Sequence, residues 1–248
     1  MNNLNKQLSN TLQQLNKGFV EASITWYPYA GTLLGLVRNG QLIKWDDDID
    51  MIMNHDHLIS SKNKIREICN NLGLGVEFHD ESLHDVTVIT LPRLTVLVDD
   101  DSYDFEPKIE IHPTKPLKEN ENYFMTSVYS SLAGVESWEI YNNIFKYFLL
   151  PIRFISKTII PRQWFDRKID RRLNDQTTSK FEICIYKLTN TNRFAFDLNQ
   201  TTILKTKIGE FTIPQNTKHY LNDKYGDWNK ETVSTPVHVL NLGKKNRR

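Results

Sequence analysis

Four aspartates fill all but one of positions 46–50, in Trp45-Asp46-Asp47-Asp48-Ile49-Asp50, and the chain then runs directly into the apolar Met51, Ile52 and Met53. Negative charge this dense beside a stretch that reads as buried costs free energy unless a cation or hydrogen bonds offset it. If a strand begins at Ile49, side-chain alternation puts Asp48 and Asp50 on the same face. Two carboxylates side by side on a rigid strand suit a hard divalent cation. Mg²⁺ is the expected ion, with Mn²⁺ as the alternative, because such ions take oxygen ligands and share them with substrate phosphates.

The rest of the composition narrows the class. A chain of 248 residues fits one large domain, or a compact domain with an elaborated C-terminal part. At this size a core forms without staples, since about 70–75% of the unfolded surface is buried on folding. The formal net charge of +1 gives no whole-chain bias toward nucleic acid. Cys69 and Cys184 are far apart with no CxxC spacing, so both are expected to be reduced, packed thiols. The first residues lack a charged n-region followed by an apolar run, and no uncharged apolar stretch reaches the roughly 18 residues of a membrane span. The expectation is a soluble protein of the cytoplasm.

Leu4, Leu8, Leu12, Leu15 and Phe19 recur at helical steps and predict an amphipathic helix ending near Gly18. Ile24 to Tyr29 reads as a short strand interrupted by Pro28. Gly31 to Val37 reads as a short helix, with Gly31 permitting a tight entry and Gly35 placed for close helix packing. Asn39-Gly40 marks a turn, Ile49 to Met53 a strand, and Asp56 a candidate cap for a helix reaching Leu72 and ended by Gly73. The adjacent His55 and His57 fit a helix start better than a metal pair. Val86 to Thr90 and Leu94 to Val98 carry strand composition. In Lys108 to His112 the alternation puts Ile109 and Ile111 on one face and Lys108, Glu110 and His112 on the other. The acidic run at 99–106 reads as a solvated loop. Helix, strand, short helix, acidic strand, helix and further strands together indicate an α+β or α/β fold around a mixed sheet.

Composition changes after about Gly134. Residues 144–172 hold eight Lys/Arg against Asp166 and Asp170, a local charge of +6, interleaved with Phe145, Phe148, Leu149, Ile152 and Ile155. Two readings stay open. One is an amphipathic hairpin lying on anionic lipid, which would make the protein peripheral on the inner face of the membrane. The other is an ordinary helix pair split at Pro151 and Pro161, with its charge in water.

Tyr29-Ala30-Gly31-Thr32-Leu33-Leu34-Gly35-Leu36-Val37-Arg38, followed by Trp45-Asp46-Asp47-Asp48-Ile49-Asp50, resembles the signature of the LicD family, which includes bacterial phosphocholine transferases and fukutin-related proteins. Glu110-Ile111-His112-Pro113 resembles that family's aspartate-bearing strand, often DIFP, with glutamate for aspartate and histidine for the usual aromatic. Phe211, Ile213-Pro214, Tyr220-Leu221 and Tyr225-Gly226-Asp227-Trp228 are similar to its closing segment. Residues 114–208 match no part of the pattern.

The resemblance implies a nucleotidyltransferase-like mixed sheet flanked by helices; with the change in composition, the chain divides into a core over 1–133, a helical basic and apolar segment over 134–208, and a closing segment over 209–248. It implies that Asp48, Asp50 and Glu110 are the catalytic and metal-binding set, with Glu110 as third ligand or as base for the acceptor hydroxyl. Gly31 and Thr32, at a helix start, and Arg38, through its planar fork, are the candidate contacts for a diphosphate. The implied reaction moves a phospho-alcohol, such as phosphocholine or ribitol phosphate, from a CDP-linked donor to a glycan or lipid-linked glycan of lipopolysaccharide, capsule or teichoic-acid type. Two alternatives remain: a nucleotidyltransferase acting on a small acceptor, and a non-catalytic nucleotide- or glycan-binding module of the same fold. A nucleic-acid partner is not expected, since no reading motif is present.

Overall fold

The computed structural model describes residues 2–78, 86–98, 101–116, 161, 164, 167, 182–184 and 198–231. Apart from Pro161, Trp164 and Arg167, the basic segment 144–172 lies outside the described residues, and so does most of the 134–208 insertion. Among the described residues no helix is long and apolar enough to cross a membrane.

The fold is α+β. Helix α1 spans Asn2–Glu21, strand β1 Tyr27–Pro28, α2 Ala30–Asn39, β2 Asp48–Asn54 and α3 His55–Asn71. Strands β3 (Gly75–Glu77), β4 (Thr87–Thr90), β5 (Leu94–Val98), β6 (Asp101–Phe105), β7 (Lys108–Pro116) and β8 (Glu182–Cys184) follow. The described chain closes with β9 (Thr201–Thr206), β10 (Gly209–Pro214) and α4 (Thr217–Tyr225). The main sheet runs β1-β2-β7-β4-β3, with β8 on the far half of β7. Among the described strands only β2 and β7 pair in parallel, and the other pairs are antiparallel.

Period-two alternation divides β2 and β7 between two environments. Ile49, Met51 and Met53 of β2 and Ile109 and Ile111 of β7 join one core with Leu4, Leu8, Leu12, Leu15 and Phe19 of α1 and Leu58, Ile65 and Cys69 of α3. Each of the five α1 stripe residues is fully buried, a gain of roughly 1.5–3 kcal/mol apiece. On the opposite face Ile52 packs with Tyr29, Leu33, Tyr220 and Leu221 in a second core. Asp48, Asp50, Glu110 and His112 share that second face.

Local differences from the sequence reading have identifiable causes. Helix α1 passes through Gly18 to Glu21, because the glycine serves a helix crossing: a Cβ there would lie 2.9 Å from Ile68 Cγ2 of α3. The expected strand over 24–29 shrinks to Tyr27–Pro28. Ile24 N–H instead donates to Phe19 O at the end of α1, and Thr25 N–H donates to His57 Nε2. Asn54, not Asp56, caps α3, accepting from the N–H groups of Asp56 and His57. That is why His55 and His57 belong to a helix start. The acidic run expected as a loop contributes β6, paired with β5. Phe105 is buried and Tyr103 packs on the first core while Ser102 and Asp104 stay exposed, an amphipathic alternation that the acidic residues obscure. Cys69 is free and buried, as expected; the Cys184 side chain falls outside the described residues.

Candidate active site

The site is built where the β1–α2 turn meets β2. Tyr29 is extended, Ala30 takes a positive φ of 44°, and α2 begins immediately. A non-glycine residue in that region stores strain that the surroundings must hold. The turn grips Asp50 from both sides of its backbone: Tyr29 N–H donates to Asp50 O at 3.0 Å, and Asp50 N–H donates to the Thr32 hydroxyl at 2.9 Å. Thr32 is buried, so its hydroxyl acts on the strand beneath the acid.

Parallel pairing then sets Asp50 beside Glu110 and Ile52 beside His112. The side chain of Asp50 is 17% exposed, that of Glu110 28% and that of His112 fully buried. His112 Nε2 lies 2.9 Å from Asp50 Oδ1 and 3.6 Å from Glu110 Oε2. Among the described residues two clusters bring their ligand atoms within 4.8 Å of one another: Asp50, Glu110 and His112, and Asp46, Asp47 and Asp48. Asp50 and Glu110 of the expected trio share one of these clusters, and Asp48 belongs to the other. Asp48 shares the face of Asp50. His112, on the neighbouring strand, is the third member of the Asp50 cluster. The signal for it was present in the alternation of Lys108, Glu110 and His112.

Asp46 marks the other end of the site. A Cβ on Gly31 would lie 2.6 Å from Asp46 Oδ2, so the glycine is required by a carboxylate packed on the first turn of α2. That is where the macrodipole favours negative charge, and where a donor phosphate was expected. Arg38 sits at the far end of α2, about 10 Å along the axis from Gly31. Its Nε donates to Asn39 Oδ1 at 3.1 Å, and its buried Nη2 has no hydrogen-bond partner among the described residues. Gly35 serves packing, as expected, since a Cβ would meet Gln41 O at 2.7 Å and Ile43 N at 2.8 Å.

Helix α4 completes the wall. Burial, and after it the charges of Asp50, Asp46 and Asp48, push the Tyr225 phenol well above its ordinary range, so it stays a neutral O–H beside three acids. The Tyr29 ring packs 5.6 Å from His112 and 5.9 Å from Tyr220. Lys224 Nζ stands 4.8 Å over Tyr29, 5.6 Å from Tyr225 and 5.7 Å from Tyr220. This ammonium among three aromatic faces escaped the sequence reading. A helical i, i+4 spacing from Tyr220 to Lys224 was its only trace.

Two acids abreast on parallel strands are thus approached by a short helix from a tight turn within an α+β domain. The family model described as LicD/FKTN/FKRP, nucleotidyltransferase domain, matches residues 23–83. No curated protein sequence matches. Similar solved structures include ANT(2″)-Ia in complex with adenylyl-2″-tobramycin, at 12% identity and TM-score 0.29, covering 64% of this chain and 97% of that one. A solution structure of the antibiotic-resistance factor ANT(2″)-Ia shows 13% identity and TM-score 0.30, covering 68% and 94%.

Proposed function

We propose that the chain is a metal-dependent transferase that moves a phospho-alcohol from a CDP-linked donor onto a glycan acceptor. The observation that carries the reading is the abreast pairing of Asp50 and Glu110 on parallel strands, Asp50 lying within the family match. Their carboxylates, with His112 Nε2 inside the same 4.8 Å cluster, form a donor set that fits a divalent cation. A cation bound there supplies neutralising charge to the reacting phosphate.

The chain's own groups account for the rest. Tyr29 and Thr32 fix the Asp50 backbone. Glu110, the more exposed acid, is placed to accept the proton of the acceptor hydroxyl. That oxygen attacks the phosphorus bearing the alcohol, the bond to the cytidine phosphate breaks, and CMP leaves.

Mass spectrometry after offering several CDP-alcohols and an oligosaccharide with Mg²⁺ or Mn²⁺ tests the reading. The expected products are CMP and an acceptor heavier by the phospho-alcohol. An acceptor heavier by the nucleotide would replace it with nucleotidyl transfer, and no product with any donor would reject it.

A further inference from the structure

We infer that His112 gives an imidazole nitrogen to the cation held by Asp50 and Glu110, so that the site selects an ion that accepts nitrogen more readily, such as Mn²⁺, over Mg²⁺. The inference deepens the reading of this site as metal-binding and rests on it. Neighbouring ligand atoms around a six-coordinate ion with bonds near 2.1 Å lie roughly 3.0 Å apart, and around a four-coordinate one roughly 3.4 Å. The 2.9 Å from His112 Nε2 to Asp50 Oδ1 and the 3.6 Å to Glu110 Oε2 are separations of that kind. The imidazole is fully buried and its ring lies against Tyr29, so Nε2 is held toward the two acids. Asp48, by contrast, belongs to the cluster with Asp46 and Asp47.

The chemistry of the set follows from its atoms. Mg²⁺ prefers oxygen ligands and keeps its waters. A nitrogen among the ligands favours ions further along the divalent series, from Mn²⁺ onward. One histidine on the carboxylate face of β7 therefore changes which metal the cluster prefers.

The test uses the full chain, stripped of metal by a chelator and titrated with Mn²⁺ alone. Pulsed electron paramagnetic resonance is expected to show one imidazole nitrogen coupled to Mn²⁺, lost in His112→Gln. Calorimetry is expected to give Mn²⁺ a Kd at least about tenfold below that of Mg²⁺, with the ratio shrinking about tenfold in the variant. The wild-type spectrum needs no variant, so a poorly folded His112→Gln leaves the answer intact. Bound Mn²⁺ without nitrogen coupling, equal Kd values for the two ions, or no Mn²⁺ binding would each overturn the inference. The first two of these leave the transfer reaction standing. Nitrogen coupling without product from any CDP-alcohol would sink the reaction and keep the ligand.

Discussion

Strands β2 and β7 present two unlike faces made from alternate residues of the same segments. On one, Ile49, Met51, Met53, Ile109 and Ile111 are completely buried beneath α1 and α3. On the other, Asp48, Asp50 and Glu110 stay partly open beside a buried histidine. The apolar face holds the strands in register, and that register alone sets Asp50 beside Glu110. Stability and chemistry are thus separated by a single residue step, and substitutions on the two faces should separate in the same way.

The largest expected effect is on the acidic face. Asp50→Asn should lower turnover of the CDP-alcohol reaction by about 10³-fold, the scale of losing one charge-stabilising group. Because the side chain is only part-buried, the melting temperature should move by no more than about 4 °C. A variant with wild-type turnover would remove Asp50 from the site. The mirror experiment is Leu12→Ala in the fully buried stripe. It should cost about 3 kcal/mol, lowering Tm by roughly 6–12 °C, with kcat unchanged below the transition. A loss of kcat in folded Leu12→Ala would show that the faces are coupled.

Gly35→Ala should blur the division. Its new Cβ would press on the backbone at Gln41 and Ile43, the segment that leads into the acidic run. Overpacking of that kind costs about 1–3 kcal/mol. Here the displaced backbone carries Asp46 to Asp48, so activity and Tm should fall together. Undisturbed activity at reduced Tm would mean that the 41–47 segment absorbs the push without moving the carboxylates.

The apolar face was legible in the sequence because the α1 stripe and the β-branched runs are periodic, and periodicity maps directly onto burial. The shared face of Asp48 and Asp50 was legible for the same reason. What periodicity cannot supply is distance across strands. Nothing local says that His112 comes within 2.9 Å of Asp50, since that depends on the β2–β7 register. Nor does spacing show that Thr32 supports the strand under Asp50, or that Asp46 settles on the first turn of α2. The β6 strand was hidden differently. Charge in Asp101 and Asp104 spoke for solvent, while Tyr103 and Phe105 between and after them spoke for a sheet, and burial of the aromatics won.

At neutral pH the smallest effect is none at all, and the contrast between faces reappears in alkali. Burial pushes the Cys69 thiol, on the apolar face, up to about 12. Burial and then the aspartates push the Tyr225 phenol, on the acidic face, still higher. In both cases the folded value exceeds the unfolded one, so the neutral form is favoured by folding. The stability this contributes is fully present below the unfolded values, about 8.5 for a thiol and 10 for a phenol, and is lost as pH climbs through the folded ones. Urea midpoints should therefore be flat between about pH 7 and 8 and decline above about 9. Cys69→Ala should flatten the earlier part of the decline and Tyr225→Phe the later part. Asp50→Asn should shift only the part due to Tyr225, because the charge of Asp50 acts on that phenol. An Asp50→Asn profile superimposable on wild type above pH 10 would mean that burial alone governs Tyr225.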